Sequence, residues 1–122
     1  HGIIHHRKLY QTTGGANLRG ADLIEYTGAP GEIPNLAVIR FHLHPKVTAA
    51  MLANGSVLMK IRGSRVGWNF KADGAIAEID NSVYFEDGVR QSSQQIVLKA
   101  VINDIRTTGS HEVRWAFSRG TQ

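Results

Sequence analysis

Asn54-Gly55, Gly63-Ser64, Asp73-Gly74 and Asp87-Gly88 punctuate the middle of the chain, and the runs between them alternate apolar with polar residues. That combination excludes most folds. A helix needs apolar residues every three or four positions, whereas a period of two places them on one face of a strand. Gly beside Asn, Asp or Ser supplies the positive φ that a tight reversal demands. The middle of the chain is therefore expected to be an antiparallel meander joined by two-residue turns.

The patterning supports this run by run. In Ser56–Arg62, Val57, Met59 and Ile61 share one face while Ser56, Lys60 and Arg62 share the other. In Arg65–Ala72, Val66, Trp68 and Phe70 face away from Arg65, Asn69 and Lys71, so the tryptophan is assigned to the core. Further strands are expected at Ile3–Tyr10, Leu18–Tyr26, Ala75–Ile79, Ser82–Glu86 and Val89–Ile102, where Ile96, Leu98 and Ala100 oppose Val97 and Lys99. A last strand turns Val113, Trp115 and Phe117 inward. The turn-prone Thr12-Thr13-Gly14-Gly15 separates the first pair of strands. Pro45–Ala53 is where a helix competes, because good helix formers follow a proline suited to a first helical position; strand is preferred there. Ala29–Asn35 and Asn103–Ser110 read as longer loops. The sum is an all-β fold, an antiparallel β-sandwich or curled sheet of about nine or ten short strands.

At 122 residues the chain fits a single β-sandwich domain over 1–122, and without cysteine its core must hold by packing alone. No apolar run is long enough to span a bilayer and no signal peptide is recognisable, so no membrane partner is expected. The start at His1 reads as the edge of a fragment excised from a larger protein. A net charge of +4 suits an acidic glycan or a nucleic acid. The Lys and Arg residues are dispersed, however, and no nucleic-acid motif accompanies them, so nucleic acid is not expected as a partner. Phosphate loops, nucleophile elbows and paired-histidine helices are absent. Asn54-Gly55-Ser56 fits a glycosylation acceptor and is read as turn chemistry.

Chemistry concentrates in Arg40-Phe41-His42-Leu43-His44-Pro45. Alternation places Arg40, His42 and His44 on one strand face and Ala37, Ile39, Phe41 and Leu43 on the other. Histidines at i and i+2 stand roughly 6.5–7 Å apart at their α-carbons, near enough to share a metal or an anionic substrate group. Arg40, His42 and His44 are therefore the candidate substrate-binding residues. A metal would need a further ligand, with His5, His6 or Asp22 on a neighbouring strand as the expected donors. Tyr10, Tyr26 and Tyr84 could act as bases only beside a cation, and packing explains them more simply.

Several segments together resemble one family. Gly2-Ile3-Ile4-His5-His6-Arg7-Lys8-Leu9-Tyr10, Leu18-Arg19-Gly20-Ala21-Asp22, Arg40-Phe41-His42-Leu43-His44-Pro45 and Ser93-Gln94-Gln95-Ile96-Val97 follow the order seen near the C-terminus of bacterial heparinase II/III-like proteins. The resemblance covers nearly the whole chain, and Arg-Phe-His-Leu-His-Pro is its most specific part. Ala21 departs from it, since an acidic residue is expected after the glycine.

The resemblance implies the β-sandwich part of a polysaccharide lyase-like parent, in which an N-terminal α/α toroid and the sandwich hold an acidic polysaccharide between them. The implied reaction is β-elimination at a uronic acid, with a tyrosine as base or acid and a group that neutralises the carboxylate. The family's tyrosine comes from the toroid and its metal-binding histidines come largely from earlier segments. No catalytic residue is therefore carried over, and the isolated chain is expected to be inactive. Zinc or calcium belongs, on this reading, to the parent and not to this chain. The resemblance is compatible with a periplasmic or secreted parent but fixes no location. Two alternatives stay open: a carbohydrate-binding module stacking sugars on an exposed Trp68 or Trp115, and a purely structural sandwich.

Overall fold

A computed structural model describes residues 2–11 and 14–121. In these residues nine strands form two antiparallel sheets. They are β1 (Ile3–Gln11), β2 (Asn17–Tyr26), β3 (Leu36–His42), β4 (Val47–Met51), β5 (Val57–Ile61), β6 (Val66–Asp73), β7 (Ile76–Glu86), β8 (Val89–Val101) and β9 (Ser110–Thr121). Sheet A has six strands in the order β1-β2-β9-β6-β5-β4, and sheet B has three in the order β3-β8-β7. The fold is thus the all-β antiparallel sandwich expected from the turns and the alternation. Thr12 and Thr13 of the first expected turn lie outside the described residues.

Pairing of the sheets follows from the period-two faces. Val57, Phe70, Val113 and Trp115 of sheet A are buried against Ile39, Ile96, Leu98 and Ala100 of sheet B. Phe41 of β3 enters an aromatic cluster from the opposite sheet, with ring centroids 4.8 Å from Trp115, 5.5 Å from Phe70 and 5.7 Å from Phe117. A single helical turn, α1 (Ile105–Thr108), closes one end by burying Ile105 beside Ile102, in a segment expected to be a plain loop. No helix among the described residues is long and apolar enough to cross a membrane.

The connections depart from the expectation in instructive ways. Only Asp87-Gly88 is a two-residue hairpin turn, with both residues at positive φ and Glu86 paired to Val89. At Asn54-Gly55 the reversal is wider, closed by Leu52 N–H to Ser56 O, and Asn54 Oδ1 accepts from both the backbone N–H and the hydroxyl of Ser56. Asp73-Gly74 does not turn a hairpin at all. The chain leaves sheet A there, and β7 pairs with β8 in sheet B, so only β4–β6 form the meander. Gly74 is required at that crossing, since its φ is +85° and a Cβ would lie 2.4 Å from Glu112 O. Ala75–Ile79 and Ser82–Glu86 are one continuous strand, β7. Within Pro45–Ala53, where a helix competed, Val47–Met51 is strand.

Val97, expected to face outward, is buried all the same. It lies on the central strand of a three-stranded sheet, with the long side chains of Arg40 and Glu78 at the paired positions on either side.

Candidate functional site

Arg40, His42 and His44 lie on the outer face of sheet B, but His44 sits just past the end of β3. The ladder runs one bond further, from Leu43 N–H to Gln94 O, before the chain turns at His44, whose carbonyl accepts from Val47 N–H. Pro45, with no N–H to give, ends the strand.

The strand order β3-β8-β7 carries this face across to Ser82 and Tyr84. His42 Nδ1 shares a 2.8 Å hydrogen bond with Ser82 Oγ. The His44 ring packs at 4.8 Å on the Tyr84 ring, and its Nδ1 accepts from Lys46 N–H at 3.1 Å. Arg40 donates to Gln95 Oε1 at 3.3 Å, and Gln95 Nε2 donates to Asn81 O at 2.8 Å. Arg40 has no carboxylate partner among the described residues. Ser93, the register partner of Ser82, holds a buried hydroxyl with no hydrogen-bond partner among the described residues.

The neighbouring Gln94 faces inward and serves the fold. Its amide oxygen accepts from Ala49 N–H at 2.9 Å and its amide nitrogen donates to Ala49 O at 3.3 Å. One side chain thereby imitates a strand partner on β4, an edge of sheet A.

A second constellation lies between the sheets. Asp22, 0% exposed on β2, is met by the three donors nearest to it. His5 Nε2 lies 2.6 Å from Oδ1, Arg7 Nε donates to the same oxygen at 2.8 Å, and Trp115 Nε1–H donates to Oδ2 at 2.7 Å. The acceptor-only carboxylate places the shared proton on Nε2 of His5. Burial pushes the Asp22 pKa up, but the hydrogen bonds from Arg7, Trp115 and His5, with the Arg7 charge, together outweigh it and hold the carboxyl below the usual range. The Arg7 guanidinium also lies 5.5 Å from the Phe41 ring centre and 5.8 Å from that of Trp115. Trp115 can approach because residue 20 is glycine, where a Cβ would stand 2.1 Å from the indole.

The profile of the heparinase II/III-like C-terminal family matches residues 1–116. The chain belongs to that family. It is also 31% identical over 125 residues to FtsZ-localized protein C of Caulobacter vibrioides, an alignment covering 97% of this chain and 21% of that protein. The chain thus spans about a fifth of the length of the curated relative it matches. No solved structure matches it significantly.

Within this heparinase II/III-like module the fold separates the residues that the sequence grouped as one metal set. His5 and Asp22 meet each other between the sheets, while His42 and His44 are on the outer face of sheet B, and His6 pairs with Glu25 at 2.9 Å on the outer face of sheet A. Among the described residues no three His, Asp or Glu side chains converge on a point where a metal could sit. The donors among the described residues do not form a zinc site. Trp115 is 4% exposed and engaged with Asp22, which removes it as a sugar-stacking platform; Trp68 is half-buried against the core. Tyr26 has a cation directly on its hydroxyl, Arg106, whose guanidinium donates to it at 2.8 Å and also to Gly31 O. That contact staples the loop between β2 and β3.

Asp22 had a legible signal. Leu18, Gly20, Ile24 and Tyr26 share its phase on β2, so a carboxylate stands among core-facing positions, and Arg7 and His5 share the phase of Ile3 on β1. A charge in phase with the core needs a partner.

Proposed function

We propose that this module serves a heparinase II/III-like parent that acts on uronic-acid-containing glycans by β-elimination, and that its part is to hold the acidic chain on the Arg40, His42 and His44 face. The observation that carries the reading is the unmet hydrogen-bonding capacity there. Among the described residues Arg40 has no carboxylate partner, and His42 and His44 each keep a ring nitrogen unbonded. A glycan carboxylate or sulfate would complete these groups with charge-assisted bonds.

The proton-abstracting tyrosine belongs, on this reading, to an N-terminal toroid. β-Elimination needs the base and the carboxylate-neutralising group in one geometry, where a misplacement of about 1 Å can cost 100-fold in rate. The isolated chain is therefore expected to show no turnover of heparan sulfate, chondroitin sulfate or alginate when the ultraviolet absorbance of the unsaturated uronate is followed. Turnover lost on His42→Ala or His44→Ala would overturn this and make the strand a complete active site.

A second reading is favoured by the relatedness to FtsZ-localized protein C across 97% of the chain. On it, the parent localises with FtsZ and the sandwich is a structural or binding element. Co-sedimentation of the full-length parent with FtsZ polymers tests it, and recovery only in the supernatant rejects it.

A further inference from the structure

The outer face of sheet A is the larger open surface of the sandwich, and the strand registers align its side chains in rows. One row runs Tyr10, Arg19, Ala116 and Lys71 across β1, β2, β9 and β6. The next runs Lys8, Ala21, Arg114 and Asp73. Small residues at 21 and 116 leave a groove of about 700 Å³, walled by Tyr10, Arg19 and Arg114. A second hollow of about 330 Å³ continues it toward His6 and Lys8 and shares Tyr10, Ala21 and Glu112 with the first.

The charges are unevenly committed. Glu112 holds Arg114 at 2.6 Å, Asp73 stands opposite Arg114, and Glu25 holds His6 at 2.9 Å. Lys8, Arg19 and Lys71 have no ion pair among the described residues. The uncommitted charge on this face is therefore positive. The backbones at Arg19 and Lys71 lie two strand spacings apart, about 9.6 Å, on either side of Ala116, so the two long cationic side chains flank the row. Tyr10, 57% exposed at the head of the row, offers a ring face to a sugar.

We propose that this groove and the row that continues from it form a second binding site for an acidic polysaccharide, read by Arg19 and Lys8 in the hollows and Lys71 at the far end of the row, with Tyr10 as the stacking residue. It shares its ligand class with the function proposed above but none of its residues, so the two can fail separately. A single-stranded nucleic acid fits less well, because successive bases need successive aromatic platforms and this row has one.

The test is titration of the full chain with size-defined heparan sulfate oligosaccharides, followed by calorimetry and by NMR shifts at two salt concentrations. Arg19→Ala with Lys71→Ala is expected to weaken binding at least tenfold and to flatten its salt dependence. Ala21→Glu, which sets a carboxylate on the groove floor, is expected to do the same, with an unchanged melting temperature showing that the fold is intact. Arg40→Ala with His42→Ala should leave the shifts of the Tyr10 row in place. The proposal is overturned if the Arg19 and Lys71 variant binds like the parent chain, if no shifts occur in that row, or if an oligonucleotide of equal charge binds as tightly.

Discussion

On the inner face of sheet A, His5, Arg7 and Trp115 converge on one carboxylate until both its oxygens are bonded; on the outer face of sheet B, Arg40, His42 and His44 bond only to neutral groups among the described residues. The contrast separates two uses of the same residue types. A fully satisfied polar cluster in a buried place fixes a unique packing, here the approach of β1 to Trp115. An incompletely satisfied one at a surface retains capacity for a ligand. Histidine content alone would have ranked the two clusters equally.

The comparison breaks most clearly on Asp22. Asp22→Ala would strand Arg7 and the Trp115 N–H, and is expected to cost about 2–4 kcal/mol, below the figure for a wholly buried pair because Arg7 is 39% exposed. Chemical denaturation of the two chains measures it directly. Acid provides a milder version of the same break. The folded-state pKa of Asp22 is depressed, so the unfolded chain takes up its proton first; the stabilisation is complete above the ordinary carboxylate pKa and fades as pH falls through the lower folded value. Wild-type stability should therefore drop below about pH 4, and Asp22→Asn should flatten that part of the profile.

Gly20→Ala comes next. The added methyl would meet an indole that cannot retreat, because Asp22 holds its N–H and the Phe41 and Phe117 rings pack on it. A loss of about 1–3 kcal/mol is expected, with altered tryptophan fluorescence in the native state. Gln94→Ala removes both bonds to Ala49 and should cost about 1–2 kcal/mol, visible as faster amide exchange in β4.

Much of this architecture could be read from the chain. Val57, Met59, Phe70, Ile96 and Leu98 are core in the phase that alternation gives them, and Asp87-Gly88 turns as its residue types demand. Sheet membership could not be read. Asp73-Gly74 has the chemistry of a hairpin, yet it is the close approach of Glu112 O that makes glycine necessary, and that contact joins positions far apart in sequence. The same long-range blindness divided the site. The sequence offers His5, His6 or Asp22 only as further donors should a metal sit at His42 and His44, on the premise of neighbouring strands, whereas β1 and β2 belong to a different sheet from β3. Arg40, His42 and His44 do share one face, as local periodicity requires, but Ser82, Tyr84 and Ser93 joined them only once β7 and β8 were in place.

The smallest effect on stability is expected where the effect on binding should be largest. His42 is exposed and its bond to Ser82 is a surface one, while His44 packs on Tyr84 beyond the strand end. Replacing both by alanine removes no core contact, so a change within about 0.5 kcal/mol is expected in denaturation. If their face holds an acidic glycan, the same pair of substitutions removes two donors to a charged oxygen, each worth about 1.5–3 kcal/mol, and affinity should fall at least tenfold. Equal losses in both measurements would place this cluster beside Asp22 as a structural one. A loss in binding alone would keep the two faces distinct, and would show that unsatisfied donors, not histidines as such, mark the surface that meets the glycan.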